Sequence, residues 1–504
     1  NVSILEFQYC TIGLLFLLII LFPLTAFTNY SSIILKVVGF ILLLFGIKFF
    51  FSFQELFKKL KIIFNKEKHF LFYIYLLIML LYFFLALSPL TSADILDYHA
   101  GVALNILRFD RYLLLPEWFT GLQAGIGEVL ISLGFAVGSE QFGSLVQFTS
   151  IISISGILLK LFNKTNFFSS KYLILLIILT CPILIFLLSG NKPQIFFSGL
   201  VFLALSLSFI KLENSNQVIK NYSLINILIC ISVMGKFSFG LSGFLVWIIS
   251  TINIIYKKNF KIVFFVPLII FLLIFLPFLY WKYINLGGNL FNYIFSPFPL
   301  HLPGYENFLN HNKGSQEIPF PYFIFFTTPS RATEFLGLNT LLLVFLLFHF
   351  YKEKKIFVIF SIITVFIIVS NYYASPSARY YLDPILWSIL AISFLKKIKL
   401  KKIFEYLFYP QIFLVIIILI YSNYLFLPGA FLEKNYLKVK NNYAYMYSGI
   451  DWVNKNIPEN SRVIIINRPI ANFKNFAVSG GFNYFTNSNE ANYYKKLIKK
   501  YNIE

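Results

Sequence analysis

The sequence predicts an α-helical polytopic membrane protein with about thirteen transmembrane helices, and three observations lead to that fold class. The 504 residues are 58% hydrophobic and only 12% charged. Apolar runs close to the roughly 20 residues that cross a bilayer recur along the whole chain. The lysines cluster after every second run, which is the positive-inside pattern and predicts an inside N-terminus and an outside C-terminus.

Each apolar run predicts one span. The predicted spans cover about 10–28, 33–53, 70–89, 140–162, 172–190, 195–211, 222–235, 239–256, 262–281, 335–351, 356–373, 381–395 and 405–427. Only "VMGKFSFG" separates 222–235 from 239–256, so one long helix or a re-entrant element is an alternative there. The lysine pattern places the stretch 90–139, the loop 282–334, the segment 371–384 and the tail from 428 outside.

Three regions follow from this pass along the chain. Residues 1–69 form two additional N-terminal helices and a basic cytoplasmic loop, residues 70–427 form the main transmembrane domain, and residues 428–504 form a small α/β domain outside the membrane. In the tail, "YSGIDWVNKNIPENSRVIIINRP" predicts an amphipathic helix, a turn and a buried strand from Val463 to Ile466. "NEANYYKKLIKKYNIE" predicts a further helix. The missing initiator Met and the abrupt end suggest that both termini are incomplete.

The net charge of +21 is typical of nucleic-acid binders, but its distribution argues against such a partner. The lysines lie in short loops between apolar runs, as expected at an anionic cytoplasmic surface. The three cysteines, Cys10, Cys181 and Cys230, lie inside apolar runs and have no metal-site spacing. We therefore expect membrane lipids, and no nucleic acid, as partners.

The stretch "LTSADILDYHAGVALNILRFDRYLLLPEWF", residues 90–119, concentrates acidic residues just after an apolar run. Asp94 and Asp97 are three residues apart and would share a helical face, so both could point at one site. A partly desolvated carboxylate near a second negative charge has a raised proton affinity and can take a proton from a hydroxyl. Alternatively, Asp94 caps a helix starting near Ile95. His99 is a metal ligand, a hydrogen-bond partner or an interfacial residue.

The predicted outward side has few lysines, but four basic residues lie on it: Lys192, Lys236, Arg331 and Arg379. Arg379 is the strongest phosphate candidate, because guanidinium suits bidentate phosphate contact and Tyr380 can lie at the headgroup level. Interfacial anchoring is the alternative for Arg379, and snorkelling is the alternative for Lys236. Glu128 is interpreted as a helix cap, whereas Glu117 can assist metal or sugar binding.

Several motifs resemble those of the GT-C class of membrane glycosyltransferases. They are "GKFSFG" at 235–240, "YWKYINLGGNLFNYIFSPF" at 280–298, "ARYYLDP" at 378–384 and "GIDWVNKNIPENSRVI" in the tail. With the acidic first outward loop, they are similar to bacterial relatives of the protein O-mannosyltransferase and lipid A aminoarabinose transferase type, over roughly 70–470. Leu290 follows Gly288-Asn289 where those proteins often have Pro, and the acidic pair is spaced rather than adjacent.

The resemblance implies that the main transmembrane domain is catalytic and takes a sugar from a polyprenyl-phosphate donor. The acceptor would be a lipid, glycan or protein, at the periplasmic side of a bacterial inner membrane. Asp97 or Asp94 would be the base of an inverting single displacement. Donor phosphate would contact Arg379, Lys236, Arg331 and Lys192, and the sugar or acceptor would contact His99, Tyr98, Glu117, Asn289 and Tyr380.

Two other functions remain open alternatives at this point. One is a transporter or flippase of lipid-linked saccharides, which would place polar or charged groups near the bilayer midplane. The other is a glycan ligase or polymerase, which would share the donor chemistry. No cofactor is identified, and the sequence leaves open whether a divalent metal takes part.

Overall fold

The computed structural model describes residues 8–51, 69–116, 118–162, 168, 170–210, 214–255, 260–297, 299, 334–373, 377–395, 400–459, 461–465, 470–479, 495–496 and 498–500. Within them the protein is mostly helical, with a two-stranded sheet near the C-terminus. Seven of the helices in the described residues are long and apolar enough to cross a membrane, which supports an integral membrane protein. They are Tyr9–Phe27, Ser31–Lys48, Phe142–Phe162, Ser215–Gly235, Phe237–Ile255, Lys261–Leu286 and Lys402–Ala430.

The described helices of the first half are mostly apolar. The α-helices are α1 Tyr9–Phe27, α2 Ser31–Phe51, α3 Phe70–Ala86, α4 Ala100–Arg108, α5 Phe119–Leu122, α6 Gly127–Ala136, α7 Phe142–Phe162, α8 Lys171–Leu179, α9 Ile183–Leu188, α10 Gln194–Ser208, α11 Ser215–Gly235 and α12 Gly240–Ile255. A π-helix, Ile95–His99, precedes α4, and a 3₁₀ turn, Phe237–Phe239, precedes α12. Side-chain caps start two of them: His69 accepts from the N–H of Leu71, and Ser170 accepts from that of Tyr172.

The second half continues this pattern and then changes character. Its α-helices are α13 Phe260–Ile270, α14 Leu276–Leu286, α15 Leu338–His349, α16 Lys354–Tyr373, α17 Leu382–Ile392, α18 Lys402–Tyr406, α19 Tyr409–Phe426, α20 Glu433–Tyr443 and α21 Tyr447–Asn456. A π-helix, Phe271–Phe275, joins α13 to α14, and the 3₁₀ turns are Leu290–Ile294, Ala378–Tyr381, Leu427–Ala430 and Ile470–Asn472. Strands β1 Arg462–Ile465 and β2 Phe476–Ser479 pair in parallel, with Arg462 opposite Phe476.

The six predicted spans outside the set of seven also coincide with helices. These are α3, the pair α8 and α9, α10, α15, α16 and α17. The pair α8 and α9 corresponds to one predicted span, 172–190, which breaks at Thr180–Pro182 because proline cannot continue the hydrogen bonding of a helix. The segments around "VMGKFSFG" are two helices rather than one. The predicted amphipathic helix and strand of the tail correspond to α21 and β1.

An aromatic group fixes the opening stretch against the membrane helices. The buried rings of Phe22 and Trp281 meet edge to face with centroids 5.4 Å apart, and Tyr112 lies 4.4 Å from Trp281 by the same measure. Such aromatic pairs are favoured beyond their buried area. The Trp281 indole also donates to the Tyr112 carbonyl at 2.8 Å. The end of α14 and the chain after α4 are therefore held together in a dry core.

A buried lysine attaches the C-terminal helices to the start of the opening stretch. Lys440 on α20 is fully buried and donates to the carbonyl of Leu90 at 2.8 Å and to the Glu140 carboxylate at 3.2 Å. The same carboxylate accepts from the Tyr436 hydroxyl at 3.3 Å and from the Leu90 N–H at 3.4 Å. This network joins α20 to both ends of the segment that carries Asp94.

We expect Lys440→Met to destabilise the protein by about 3–5 kcal/mol, because removing one partner leaves the Glu140 carboxylate and a buried carbonyl without their donor. Thermal unfolding in detergent measures the change. Lys455→Met is the matched control, because Lys455 is exposed and pairs with Asp451 on the surface of α21, where such pairs contribute little. Equal melting temperatures for the two variants would contradict the prediction.

Candidate functional site: a buried cation cluster

Asp94 lies immediately before the π-helix and pairs with two cations from distant parts of the chain. Its Oδ2 is 2.9 Å from Lys192 Nζ and 3.3 Å from Arg379 Nη1. The Lys192 side chain is completely buried, whereas the Asp94 side chain is 24% exposed. The Asp94 carboxylate does not cap the π-helix. Its contacts therefore favour a charged site over the capping interpretation.

Lys236 joins this group from the break between α11 and α12. Its backbone is extended there (φ −159°, ψ 122°), which ends α11 and directs the chain into the 3₁₀ turn. The ammonium donates to Gln194 Oε1 at 3.1 Å and lies 5.8 Å from the centroid of the Tyr380 ring. These described partners of Lys236 are neutral, so the structure does not neutralise its charge by direct contact.

Gln194 and Tyr380 connect the three cations, which we call the cation cluster (Lys192, Lys236 and Arg379). The Gln194 amide donates to the carbonyl of Arg379, and the Arg379 guanidinium lies 5.2 Å from the centroid of the Tyr380 ring. Burial removes the Lys236 ammonium from water, and repulsion from the positive charges of Arg379 and Lys192 further disfavours its charged form. The negative charges of Asp94 and Glu334 favour the charged forms of Lys192 and Arg379. An arriving anion would relieve this repulsion.

Asp97 is buried and has a different partner from Asp94. The Trp118 indole donates to Asp97 Oδ1 at 2.9 Å, and the carboxylate is 1% exposed. Asp94 and Asp97 each have further interactions as well. The two carboxylates, three residues apart, thus contact different groups, because the wider π-helical turn departs from the spacing of an α-helix.

His99 and Glu128 form a buried pair beside the cation cluster. His99 Nδ1 is 2.7 Å from Glu128 Oε1, and Glu128 Oε2 accepts from the Gly125 N–H at 2.9 Å. Burial lowers the pKa of His99 well below its ordinary value, and Lys236 and Lys192 lower it further. Burial raises the pKa of Glu128 to about 8, against the opposing effect of the hydrogen bond from Gly125. The Gly125 contact agrees with the predicted capping role, but the pairing with His99 adds a second role.

Residues 48–440 match the DUF1420 N-terminal domain, which spans every residue of the cation cluster. The chain belongs to the DUF1420 N-terminal domain family. That description names no activity, and no curated protein and no solved structure matches the chain. The proposals below therefore start from the geometry of the site in this DUF1420 protein.

The other predicted site residues divide into three groups. Tyr98 and Tyr380 are close to the cluster: Tyr98 is buried with its ring centroid 4.1 Å from that of His99. Asn289 is exposed and accepts from the N–H of Phe291 at 2.9 Å, so its observed role is to cap the turn Leu290–Ile294. Glu117 and Arg331 lie outside the described residues, as does most of the loop 282–334 beyond Pro297.

Two residues of the DUF1420 site and one pairing escaped the sequence analysis. Gln194 joins Lys236 to Arg379, Glu128 pairs with His99, and Lys282 is a buried cation that donates to the carbonyl of Leu122 at 2.9 Å. The polar run Asn191-Lys192-Pro193-Gln194 at the start of an apolar helix was a sequence signal that could have identified Gln194. In the part of the chain that the structure describes, no three or more His, Cys, Asp or Glu residues gather as a metal site would require.

Proposed function

We propose that this DUF1420 protein transfers a sugar from a polyprenyl-phosphate donor to a lipid, glycan or protein acceptor. The observation that carries the proposal is the cation cluster, where Lys192 and Arg379 already hold a carboxylate and Lys236 has only neutral partners in direct contact. Guanidinium and ammonium groups are the usual partners of phosphate oxygens. The donor phosphate would bind to this group.

The chemistry of glycosyl transfer needs a group of this kind. As the bond from the anomeric carbon to the phosphate oxygen breaks, negative charge develops on the leaving phosphate. Fixed cations in a water-poor site stabilise that charge without having to reorganise, which is the largest contribution in many enzymes. Asp97 and Asp94 stay the predicted proton acceptors for the hydroxyl of the acceptor, in an inverting single displacement.

A small pocket adjoins the break between α11 and α12. It is lined by residues that flank the α11–α12 break and by aromatic residues of α13–α14 and the following turn. The lining residues are Gln123, Ala124, Gly125, Val233, Met234, Phe237, Phe275, Phe278, Lys282, Tyr293, Ser296 and Pro297. The lining is largely apolar and includes one cation, Lys282.

The positive-inside pattern supports the location of the reaction. Lysine clusters follow alternate spans, and with an inside N-terminus the opening stretch and the segment bearing Arg379 face outward. The cation cluster would then lie at the extracytoplasmic face, which in a bacterium is the periplasmic side of the inner membrane. Outward sites of this kind require a lipid-linked donor, because nucleotide sugars are made in the cytoplasm.

Binding of undecaprenyl phosphate in nanodiscs tests the proposal, with undecaprenol as the uncharged comparison. We expect Lys236→Met to weaken binding of the phosphate, and to reduce sugar release from a panel of undecaprenyl-phosphate sugars, by about 10²–10³-fold. Lys160→Met, at the last turn of α7, is the matched control and should behave like wild type. Equal affinity of wild type for undecaprenyl phosphate and undecaprenol would rule the proposal out, as would wild-type behaviour of Lys236→Met.

One observation favours transport or flipping as a second candidate function. Asp383 at the start of α17 is buried, and its carboxylate accepts from the hydroxyls of Ser198 and Ser242 on two other apolar helices. Ionisable groups inside a helix bundle are often part of a transport path. Movement of an undecaprenyl-phosphate sugar across proteoliposome membranes, without release of sugar, would select this function.

A further inference from the structure

We infer that His99, through its Nε2 atom, takes the proton from the acceptor hydroxyl, and that Glu128 positions the imidazole and receives the charge. The inference rests on the proposed glycosyl transfer and replaces Asp97 and Asp94 with His99 as the group that activates its nucleophile. It starts from one atom: His99 Nε2 is buried and has no hydrogen-bond partner among the described residues, although Nδ1 of the same ring is bonded to Glu128.

An unpartnered buried nitrogen in this place can bind a polar group of a ligand. His99 is 2% exposed, and leaving such a buried group unsatisfied costs about 1–3 kcal/mol. Exceptions to the pairing of buried polar atoms often mark functional groups. A hydroxyl of a bound acceptor would satisfy Nε2 by donating its proton to it.

The charges of the cation cluster act on His99. Charged groups from five parts of the chain act on the His99–Glu128 pair. The charges that interact with His99 are those of Lys236, Lys192, Asp94 and Arg379. Those that interact with Glu128 are Lys236 and Lys282. Glu128 in turn interacts electrostatically with the hydroxyls of Tyr98 and Tyr112. A hydroxyl bound at Nε2 would therefore lie beside the cation cluster, as a nucleophile attacking a phosphate-linked carbon must.

The two aspartates are less available as bases. Asp94 is ion-paired with two cations, which stabilise the carboxylate as an anion and lower its proton affinity. Asp97 Oδ1 is occupied by the hydrogen bond from the Trp118 indole, and the residue has further interactions. His99 differs from both, since Nδ1 is hydrogen-bonded to Glu128 and Nε2 has no hydrogen-bond partner among the described residues.

The Glu128–His99 pair can accept a proton without creating a buried charge. In its proton-poor form, Glu128 is ionised and accepts from Nδ1–H, which leaves a lone pair on Nε2. When Nε2 takes the hydroxyl proton, the Nδ1 proton moves to Glu128, so a neutral acid and a neutral imidazole result. The acceptor oxygen bonds to the anomeric carbon, and the electron pair of the broken carbon–oxygen bond leaves with the phosphate into the cation cluster.

The inference predicts a rise of rate with pH. The pKa of Glu128 is raised to about 8, so the pair keeps its extra proton below that pH and loses it above. Since only the proton-poor form has a free lone pair on Nε2, sugar transfer should increase as pH rises through about 8. In Glu128→Gln the amide oxygen can still accept from Nδ1–H, but this group no longer titrates, so the rise should move to lower pH.

The test compares His99→Gln and Glu128→Gln with wild type, using the release of undecaprenyl phosphate from the sugar panel. We expect His99→Gln to lower kcat by about 10²–10⁴-fold while undecaprenyl phosphate still binds. His349→Gln is the control, since His349 is an exposed residue at the end of α15. A wild-type rate for His99→Gln would overturn the inference, and so would a combined loss of rate and binding in a folded variant.

Two further readouts separate this inference from the proposed function. If wild type binds no undecaprenyl phosphate, the proposed function fails whatever His99 does. Histidine-selective ¹⁵N spectra of wild type, with His99→Gln for assignment, examine the pair without any turnover. Loss of the Nε2 proton near pH 8 supports the inference, whereas an Nε2 that keeps its proton to higher pH, or titrates near the ordinary histidine value, overturns it.

Discussion

We expect Asp94→Asn to make the stability of the protein depend on an added phosphate lipid. The substitution removes the carboxylate that contacts Lys192 and Arg379. Breaking a buried ion pair by removing one partner costs about 3–5 kcal/mol, and the partial exposure of Asp94 places this case near the lower end. Bound undecaprenyl phosphate would replace the lost negative charge, and a ligand at 100 times its Kd contributes about 2.7 kcal/mol of stability.

The same substitution should also tighten phosphate binding, because Asp94 competes with the ligand for the two cations. We expect about a tenfold gain in affinity for undecaprenyl phosphate, which corresponds to roughly 1.4 kcal/mol. Melting temperatures with and without the lipid, together with a binding titration, measure both effects. Asp451→Asn is the control, since Asp451 pairs with an exposed lysine on α21. Weaker phosphate binding in Asp94→Asn would contradict the competition.

Gly125→Ala should disrupt the site through the backbone rather than through charge. A Cβ at Gly125 would lie 2.3 Å from the carbonyl oxygen of Met234 and 2.4 Å from that of Gly235. These main-chain atoms directly precede Lys236 and cannot rotate away. Relief of this clash would also lengthen the hydrogen bond that the Ile126 N–H donates to the Met234 carbonyl oxygen, which is 3.1 Å long. We expect a loss of stability of at least 1–3 kcal/mol.

Loss of undecaprenyl phosphate binding should accompany the loss of stability, because Lys236 and Glu128 lie on the two chain segments that would be forced apart. Gly240→Ala is the matched control, as a Cβ at Gly240, four residues beyond Lys236, meets open space. Melting temperature and lipid binding are measured for both variants. If Gly125→Ala matches Gly240→Ala in both, the close approach of the two backbones does not hold the site together.

Local composition was sufficient to predict most of the helices but not every break within them. Hydropathy over 172–190 gave one span because the surrounding leucines and isoleucines dominate the average, although Pro182 in the middle divides it into α8 and α9. The break at Lys236 was predicted, with one long helix or a re-entrant element as the alternative, since glycines and a charge interrupt an apolar run. Sequence alone could not decide it, because the contact with Gly125 that accompanies it comes from more than a hundred residues away.

The candidate site was only partly predictable for a similar reason. Lys192, Lys236 and Arg379 stood out singly, because charges in apolar surroundings are costly and need an explanation. Their grouping depends on Gln194, an uncharged residue whose two hydrogen bonds reach Lys236 and Arg379. His99 and Glu128 are 29 residues apart in the sequence. His99 also lies in a π-helix, which no residue pattern in the stretch predicted.

The contacts of Asp94 also constrain the order of events during synthesis. Its two partners follow it by 98 and 285 residues along the chain. A ribosome delivers the opening stretch to the insertion machinery long before the segment with Arg379 has been made. Asp94 therefore stays without these two partners, in contact with water or a chaperone, while the later helices enter the bilayer. The site is complete only after the segment with Arg379 has been inserted.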